Sequence, residues 1–595
     1  MYRTKLTFLL RLFSVLVLLS LILSACGPAA TEAPAQQEAP AATEAPAQEE
    51  QAAPSEAPAE TQAPVATEEV AAPPLGSVPV NNVSAEPKYG GKLTSVLFAT
   101  IDKLDPQVAL SFQEWFLVTL FTHNGLMKYD MDDQLKPDLA ERYEMNEDGT
   151  EFTFYLNKGR KFSNGREVVA DDIKYSITRC AKPETGAWGQ MMTANIVGAP
   201  DVIAGNADEI SGIEVIDDYT VKFHLIEPQS TFVMFLAGSP QFINPKEEVE
   251  KWGAEYPMHA VGTGPYMIKE WLPGAKLVLA KNPYYWELPT RPYIDEFEFI
   301  MNIDEQTTLL MIESGDADMT ADLMPSAVVQ QVIDAQNWQP FIYQRSGFSP
   351  MFAWMNSEPQ NAPFDNLKVR QAVLYAIDHK KLGKIMTGVG VPTYGLYAGP
   401  QAPGFDPKFD PYPYNPEKAK QLLAEAGFPD GFKTKFYWHD EVASWTIFPV
   451  PVQQMLKEVG IDAELIKVSV PAKNEMATNK EMPLFIGGWG PAVIDAAEWY
   501  TSIFLCSMKD QPTGYPSYCN PKIDEMFAQT QKTFDMTKRA EIFREMENIL
   551  MADAPMIPLM NMSYFILVNP RVKNYSAHIL VPPGNPWVWL DPIEK

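Results

Sequence analysis

The sequence predicts an α/β protein with mixed sheets, because patterns typical of strands and of helices alternate along its length. Residues 152–156 alternate apolar and polar side chains, which indicates a strand with one buried face. Residues 369–377 place apolar side chains at the spacing of one helix face, after Asp365 or Asn366 as the cap. Since both patterns recur through the chain, we expect strands and helices to share layers.

The second half of the body is richer in predicted helices. Asn415 is a typical helix cap, Pro416 follows it in the first turn, and Gly427 is a typical end. Asp535 begins a later helix, whose apolar face falls within residues 542–550.

Length and charge exclude several classes of protein. The chain has 595 residues, enough for two or more hydrophobic cores. Its 46% hydrophobic and 21% charged residues are typical of a globular protein. Asp and Glu number 76 against 47 Lys and Arg, so the net charge is −29. We therefore expect no nucleic-acid partner, since phosphates are bound by clustered Lys and Arg.

The first 26 residues have the order of an export signal. Basic residues within 1–11 precede an apolar run at 12–25, which is shorter than the about 20 residues that span a bilayer. The run ends LSACG at 23–27, which resembles a bacterial lipobox. This resemblance implies a diacylglycerol thioether on Cys26 as the mature N-terminus. An ordinary secretory signal with an incidental cysteine is the alternative.

Residues 27–87 predict a disordered tether. They are mostly Ala, Pro, Glu, Gln and Thr, with no basic and no aromatic residue. Such a segment cannot bury enough apolar surface to offset its chain entropy. Proline and like charge extend it to about 3 Å per residue. We interpret it as a spacer between membrane and body, with an interaction tail as the alternative.

Three cysteines remain after Cys26. An exported protein meets conditions in which disulfides form. Cys506 and Cys519 flank a turn-rich stretch and are predicted to pair, a loop closure worth roughly 3 kcal/mol. Cys180 is then expected to be unpaired and buried. No CxxC motif occurs, so the cysteines predict no metal or redox centre.

Short motifs follow one another along the body, and their order is more specific than any one of them. They lie at 90–91, 135–140, 148–154, 161–165, 262–266, 281–286, 314–318, 364–366, 369–372, 376–378, 414–417, 426–428, 460–461, 520–521 and 557–559. On these motifs, residues 88–595 resemble extracellular solute-binding family 5, the receptors of bacterial peptide/nickel-type ABC importers.

That resemblance implies a two-lobed periplasmic-binding-protein-like fold of type II, with a hinge of two crossing strands. The crossings are expected near 350–356 and 555–558. Solute binds between the lobes, lobe closure buries it, and the closed complex docks on an ABC permease. The implied boundaries are 88–345 with 556–595 for lobe one, about 131–259 for its extra subdomain, and 346–555 for lobe two.

The sequence predicts no enzyme. It contains no HExxH, no GxSxG, no Walker loop and no dinucleotide fingerprint, and its six histidines have no paired spacing. We therefore predict no metal, no cofactor and no catalytic residue. A monomeric transport receptor at the extracytoplasmic face, on a cell surface or in a periplasm, is the first hypothesis. A lipid-anchored enzyme or adhesin on a borrowed fold is the alternative.

The expected ligand site in lobe two departs from the peptide-binding pattern of the family. Peptide-binding members resemble one another at a Trp-x-x-Asp segment, whose Asp pairs with the peptide ammonium. Here Trp489, which follows the candidate ligand residue Gly488, matches, but Ala492 stands where the Asp is expected, and Asp495 is the candidate replacement. Because an unpaired buried ammonium is costly, this departure weakens the peptide hypothesis.

Aromatic residues are predicted to line the same cleft. Their flat faces suit sugar rings, aromatic side chains or apolar ligands, although a core role is the alternative for each. We predict an oligopeptide ligand, with an oligosaccharide as the first alternative and a metal chelate as the second. The predicted aromatic cleft residues are Trp438, Trp445, Trp489, Trp499 and Tyr500, with Trp115 and Trp354.

Overall fold

A computed structural model describes most of the body. It covers residues 86–591 apart from 110, 323, 325–327, 329–331, 333–341, 386–389, 398, 440–445, 491–492, 512, 514, 579 and 581–583. The predicted signal peptide, Cys26, almost all of the predicted tether, Trp445 and Ala492 therefore lie outside the described residues. Within the described ranges, no helix is both long and apolar enough to cross a bilayer.

A five-stranded mixed sheet organises the first lobe. Strand Lys92–Val96 pairs in parallel with both of its neighbours, and the remaining pairs are antiparallel. In spatial order the strands are Met319–Thr320, Lys92–Val96, Glu296–Ile300, Lys276–Lys281 and Tyr266–Leu272.

An antiparallel four-stranded sheet forms the core of the extra subdomain. Phe152, Phe154 and Leu156 are buried while the residues between them are half-buried, as the alternation predicts. Helix Ala170–Ala181 packs its apolar face on this sheet. The strands are Ala140–Met145, Glu151–Leu156, Thr220–His224 and Ile213–Asp217 in spatial order, and the hairpin Met127–Tyr129 and Leu135–Pro137 lies beside them in sequence.

A six-stranded mixed sheet forms the second lobe. Its strands are, in spatial order, Gly390–Pro392, Met556–Leu567, Ile342–Met355, Leu484–Gly488, Phe432–Trp438 and Ile461–Lys467. The predicted caps are confirmed here, because the side chains of Asn366, Asn415 and Asp535 each accept backbone N–H groups of the helix that follows. The main helices of this lobe are Leu367–Ala376, His379–Ile385, Pro416–Glu425, Pro449–Glu458, Val470–Thr478, Pro521–Gln531 and Met536–Asp553.

Shorter elements complete the described fold. The helices are Phe112–Leu117, Ala187–Thr193, Ala199–Ile203, Phe232–Phe235, Lys246–Trp252, Glu305–Ser314 and Ala497–Trp499, and strands Val572–Lys573 and Trp589–Leu590 pair near the C-terminus.

Two long antiparallel strands, Ile342–Met355 and Met556–Leu567, connect the lobes. At one end Val568 forms a bridge with Met319 of the five-stranded sheet, while the other end lies within the six-stranded sheet. The pairing is interrupted between Ser346 and Pro350. There Asn561 accepts the N–H of Ser349 at 3.0 Å and donates to the carbonyl of residue 347 at 2.7 Å. These strands are the crossing pair that the family fold implies.

The predicted disulfide and the predicted free cysteine are both confirmed. A disulfide joins Cys506 and Cys519, so it closes the turn-rich stretch between them. Cys180 is free and buried on helix Ala170–Ala181. Burial raises the pKa of its thiol, which keeps it in the unreactive protonated form.

Candidate functional site

A cavity of about 360 Å³ lies in lobe one, bounded by the subdomain, the five-stranded half and the C-terminal segment. This volume falls in the range of small-molecule sites, about 300–1,000 Å³. Its walls carry the aromatic side chains of Trp115, Tyr129, Tyr285 and Trp587, together with acidic and basic groups. Rings with charged groups of both signs suit a solute that has apolar and ionic parts.

Local structure places these rings. Trp115 projects from the short helix Phe112–Leu117, whose start is held by a capping box between Ser111 and Glu114. Tyr129 ends a strand of the hairpin that leads into the subdomain. Tyr285 is 3% exposed and its ring centroid lies 6.1 Å from that of Trp587, so distant parts of the chain build one wall.

Most charged groups of the cavity are arranged in pairs. Lys128 lies 3.0 Å from the buried carboxylate of Asp138. The amide of Asn124 donates to the same carboxylate at 2.6 Å. At the opposite wall, Arg291 Nε lies 2.6 Å from Glu287.

A third pair lies at the subdomain loop. Lys136 forms an ion pair with Asp130, which also accepts the backbone N–H groups of Asp132 and Gln134. Partial burial opposes ionisation of Asp130, but the bonds from Lys136 and the backbone outweigh it and lower the pKa of this carboxyl. Asp130 therefore stays charged near neutral pH.

The two lobes meet beside this cavity. The backbone N–H of Ile494, from lobe two, donates to the hydroxyl of Tyr129 at 3.3 Å. Val493 is fully buried in a small apolar cluster with Met192 and Phe235 of the subdomain. Burial raises the pKa of Tyr129, so the hydroxyl remains a neutral hydrogen-bonding group. A segment of lobe two thus contacts Tyr129, which is part of the cavity wall.

A second contact between the lobes lies farther from the cavity. The N–H of Ser230 donates to the carbonyl of Gln531 at 3.0 Å. The ring of Phe534 lies against Gly149, where an added Cβ would be 2.4 Å from the ring. The subdomain therefore touches lobe two at two separate places.

Three of the predicted cleft aromatics are core residues instead. Trp354 is 2% exposed, and Trp499 and Tyr500 are fully buried in the hydrophobic core of lobe two. The Trp499 ring packs 4.9 Å from Phe348, and the Tyr500 hydroxyl lies 2.9 Å from that of Tyr397. The expectation that these rings face a ligand is corrected, because burying them against other apolar side chains stabilises the lobe.

The remaining predicted residues have different surroundings. Gly488 ends strand Leu484–Gly488, and Trp489 follows it, half-buried against the lobe-two core. Trp438 ends strand Phe432–Trp438, where the amine of Lys467 lies 5.5 Å from its ring centroid. Of the predicted ligand residues, Trp115 lines the cavity.

Asp495 does not offer a free carboxylate. It is fully buried, and Arg539 binds both of its oxygens, with Nη2 at 2.7 Å from Oδ1. Oδ1 also accepts the N–H of Ala497 at 2.8 Å. Because its acceptors already have partners, the expectation that Asp495 replaces the missing carboxylate at position 492 is corrected.

Most residues of the cavity wall are not among the ligand residues that the sequence predicts. Tyr285 lies inside the family motif at 281–286, whose sequence does not distinguish a ligand residue from a structural one, and it lines the cavity. Alternating charge at Lys128, Asp130, Lys136 and Asp138 was an available signal for a charged site. Within the described part of the chain, no group of three or more His, Cys, Asp or Glu is placed to hold a metal ion.

Residues 134–511 match the family model of bacterial extracellular solute-binding proteins, family 5 middle region. The chain belongs to this family. The family consists of binding proteins of ABC importers that act outside the cytoplasm, so this chain is a solute-binding receptor with permease partners.

Relatives and solved structures agree with this assignment. The chain is 28% identical to a glutathione-binding protein of Salmonella typhimurium over 494 residues, which are 82% of this chain and 90% of the relative. An oligopeptide-binding protein of clavulanic acid biosynthesis has the same fold, with a TM-score of 0.77 at 23% identity, covering 85% of this chain and 96% of that one. The Helicobacter pylori protein DppA, solved with the peptide STSA, has a TM-score of 0.68 at 22% identity, covering 85% and 99%.

Proposed function

We propose that this receptor captures an oligopeptide-like solute where its lobes meet and delivers it to an ABC permease. The observation that carries the proposal is the cavity beside the lobe junction, which combines aromatic walls with ionic groups of both signs. A peptide has a positive end, a negative end and apolar side chains, so it needs all three kinds of partner. The solute shifts the receptor towards the closed form when it binds that form more tightly than the open form.

The position of the peptide ammonium differs from the family pattern in this proposal. Asp495 is bound to Arg539, so the ammonium partner comes from another element. Asp132 lines the cavity, is exposed, and forms no ion pair with any other described residue. It is the carboxylate most available to a ligand cation.

An oligosaccharide is the second candidate, and the aromatic rings favour it. Trp115, Tyr285 and Trp587 offer faces on which sugar rings stack. The three ion pairs of the cavity weigh against it, because a bound solute displaces water from these charged groups and a neutral sugar offers no charge to offset that loss. A metal chelate, an enzyme and an adhesin have no supporting observation among the described residues.

We also propose that the receptor is a monomer anchored through lipid-modified Cys26 at the extracytoplasmic face of the membrane. The lipobox-like LSACG and the Pro-rich acidic segment after it support an anchor and a spacer. Two or more acyl chains give much longer membrane residence than one. The mass of the mature N-terminal peptide tests the anchor: an unmodified Cys26, or cleavage elsewhere, would contradict it.

Ligand identification tests the transport proposal. The protein is purified from its cells, its bound cargo is identified by native mass spectrometry, and tripeptide and oligosaccharide pools are titrated by calorimetry. We expect one peptide bound per chain, and Trp115→Ala to weaken binding at least about tenfold, as the loss of a stacking ring implies.

The matched control is Trp252→Ala, since Trp252 stacks on His259 at 3.6 Å, away from the cavity. Binding of sugars alone would replace the peptide proposal by the oligosaccharide one. Chemical turnover of the bound molecule would favour an enzyme, and binding of neither pool would refute a receptor for peptide-like solutes.

A further inference from the structure

Arg160 is a half-buried cation beside the cavity. It lies between strand Glu151–Leu156 and helix Ala170–Ala181, and its guanidinium carbon is 4.1 Å from the ring centroid of Trp286. Its Nε is buried and makes no hydrogen bond, and no carboxylate among the described residues forms an ion pair with it. The Trp286 ring therefore orients the guanidinium but leaves its charge without an anionic partner.

The nearby carboxylates already have cationic partners. Asp138 and Glu287 are the acids whose charges act on Arg160 most strongly. Asp138 is bound by Lys128 at 3.0 Å, and Glu287 by Arg291 at 2.6 Å. Arg160 is thus a surplus positive charge. Burial lowers the pKa of its guanidinium, so these acids do not fully offset its loss of water.

A row of aromatic rings links Arg160 to the cavity. The ring centroid of Trp286 lies 4.4 Å from that of Tyr285, which lies 6.1 Å from that of Trp587. Arg291 covers the far end of the row, 4.8 Å from the Trp587 centroid. Tyr285, Trp587 and Arg291 line the cavity, as do Asp138 and Glu287. Arg160 therefore reaches the cavity wall through Trp286 and Tyr285, and neither Arg160 nor Trp286 is itself among the residues that line the cavity.

We propose that Arg160 binds a carboxylate of the solute. The inference rests on the proposed function, since it names the partner of the negative end of a peptide-like ligand. A planar guanidinium gives a carboxylate two parallel hydrogen bonds, and stacking on Trp286 holds that plane in place before the ligand arrives. A cation that folding leaves unpaired gains its partner when the solute binds.

The test compares two forms of one ligand pool. A tripeptide pool with free C-terminal carboxylates and the same pool as C-terminal amides compete for the full-length protein, and native mass spectrometry measures the bound ratio. We expect the natural protein to prefer the acid pool. Arg160→Gln is expected to reduce that preference about tenfold or more, as losing a hydrogen bond between charged groups implies. Arg160→Lys keeps the positive charge but cannot make the two parallel hydrogen bonds of a guanidinium. Its preference for the acid pool is therefore expected to lie between those of the natural protein and Arg160→Gln.

Arg142→Gln is the matched control. Arg142 also covers an aromatic ring, with its guanidinium carbon 3.6 Å from the centroid of Tyr155, but it is exposed and paired with Glu144. Because Arg142 already has an anionic partner and packs on Tyr155, which is not part of the row of rings that leads to the cavity, the acid preference should be unchanged.

Each outcome decides something. An acid preference that Arg160→Gln leaves intact overturns the role of Arg160 and leaves the peptide receptor standing. Equal binding of acid and amide pools by the natural protein also overturns it. Binding of neither pool refutes the proposed function, and the inference with it. If thermal unfolding shows that Arg160→Gln does not fold, an unchanged preference in Arg160→Lys overturns the role instead.

Discussion

Replacing Asp495 by Ala tests whether this residue acts on stability or on the ligand. Asp495 and Arg539 are both fully buried, and the pair is bidentate. After the substitution, the guanidinium would keep the carbonyl of Thr530, which accepts from Nε at 3.3 Å, and the ring of Phe543 at 4.7 Å. Neither carries a negative charge, so the substitution removes the one carboxylate that forms an ion pair with Arg539 among the described residues.

The expected cost follows from that burial. Removing one partner of a buried ion pair typically costs about 3–5 kcal/mol, because the other charge remains desolvated. The lost hydrogen bond to the N–H of Ala497 belongs to the same substitution. Asp495→Asn keeps acceptor atoms but removes the charge, so we expect a smaller cost, about 1–3 kcal/mol.

Urea unfolding measures this cost through the free energy of unfolding. The double variant Asp495→Ala with Arg539→Met is expected to recover more than half of the loss, since apolar replacements of a buried pair are often nearly neutral. Asp591→Ala is the surface control: its pair with Lys88 is partly exposed and is worth at most about 1 kcal/mol. A cost below about 1 kcal/mol for Asp495→Ala would refute the reasoning. So would a fully stable Asp495→Ala protein that no longer binds peptide.

Two further predictions concern pH and closure. Burial raises the pKa of Glu547 from 4.5 to about 8, so the folded state holds a proton that the unfolded state releases. Stability should therefore fall by about 1.4 kcal/mol per pH unit between the two values, and Glu547→Gln should flatten that slope in urea unfolding at about pH 5 and about pH 8. An equal slope in both proteins would contradict this origin. Gly149→Ala places a Cβ against Phe534, so solution scattering should show fewer closed molecules, whereas Gly159→Ala, which has a similar positive φ and open space, should not differ from the natural protein. Equal scattering from all three would show that the contact does not govern closure.

Local features of the fold could be predicted because their causes are local. A cap such as Asn366, Asn415 or Asp535 binds N–H groups two or three residues away, so the order of residues is enough to place it. The alternation at 151–156 likewise reflects the geometry of one strand. The disulfide between Cys506 and Cys519 depends on more than local sequence. The spacing of the two cysteines makes a closed loop possible, and the fold brings the two sulfurs together.

The site depended on contacts between distant parts of the chain. Lys128, Tyr285 and Trp587 line one cavity, although no pattern of spacing relates them. The local sequence suggests Asp495 as a ligand carboxylate because it follows position 492, whereas its actual partner, Arg539, lies 44 positions later in the chain. The chemical type of a side chain determines which partners it is able to bind. The packing of the folded chain determines which of those partners it contacts. For this receptor, the amino-acid order therefore identified the class of protein and its helix caps, and folding decided which charges were paired internally and which remained for a solute.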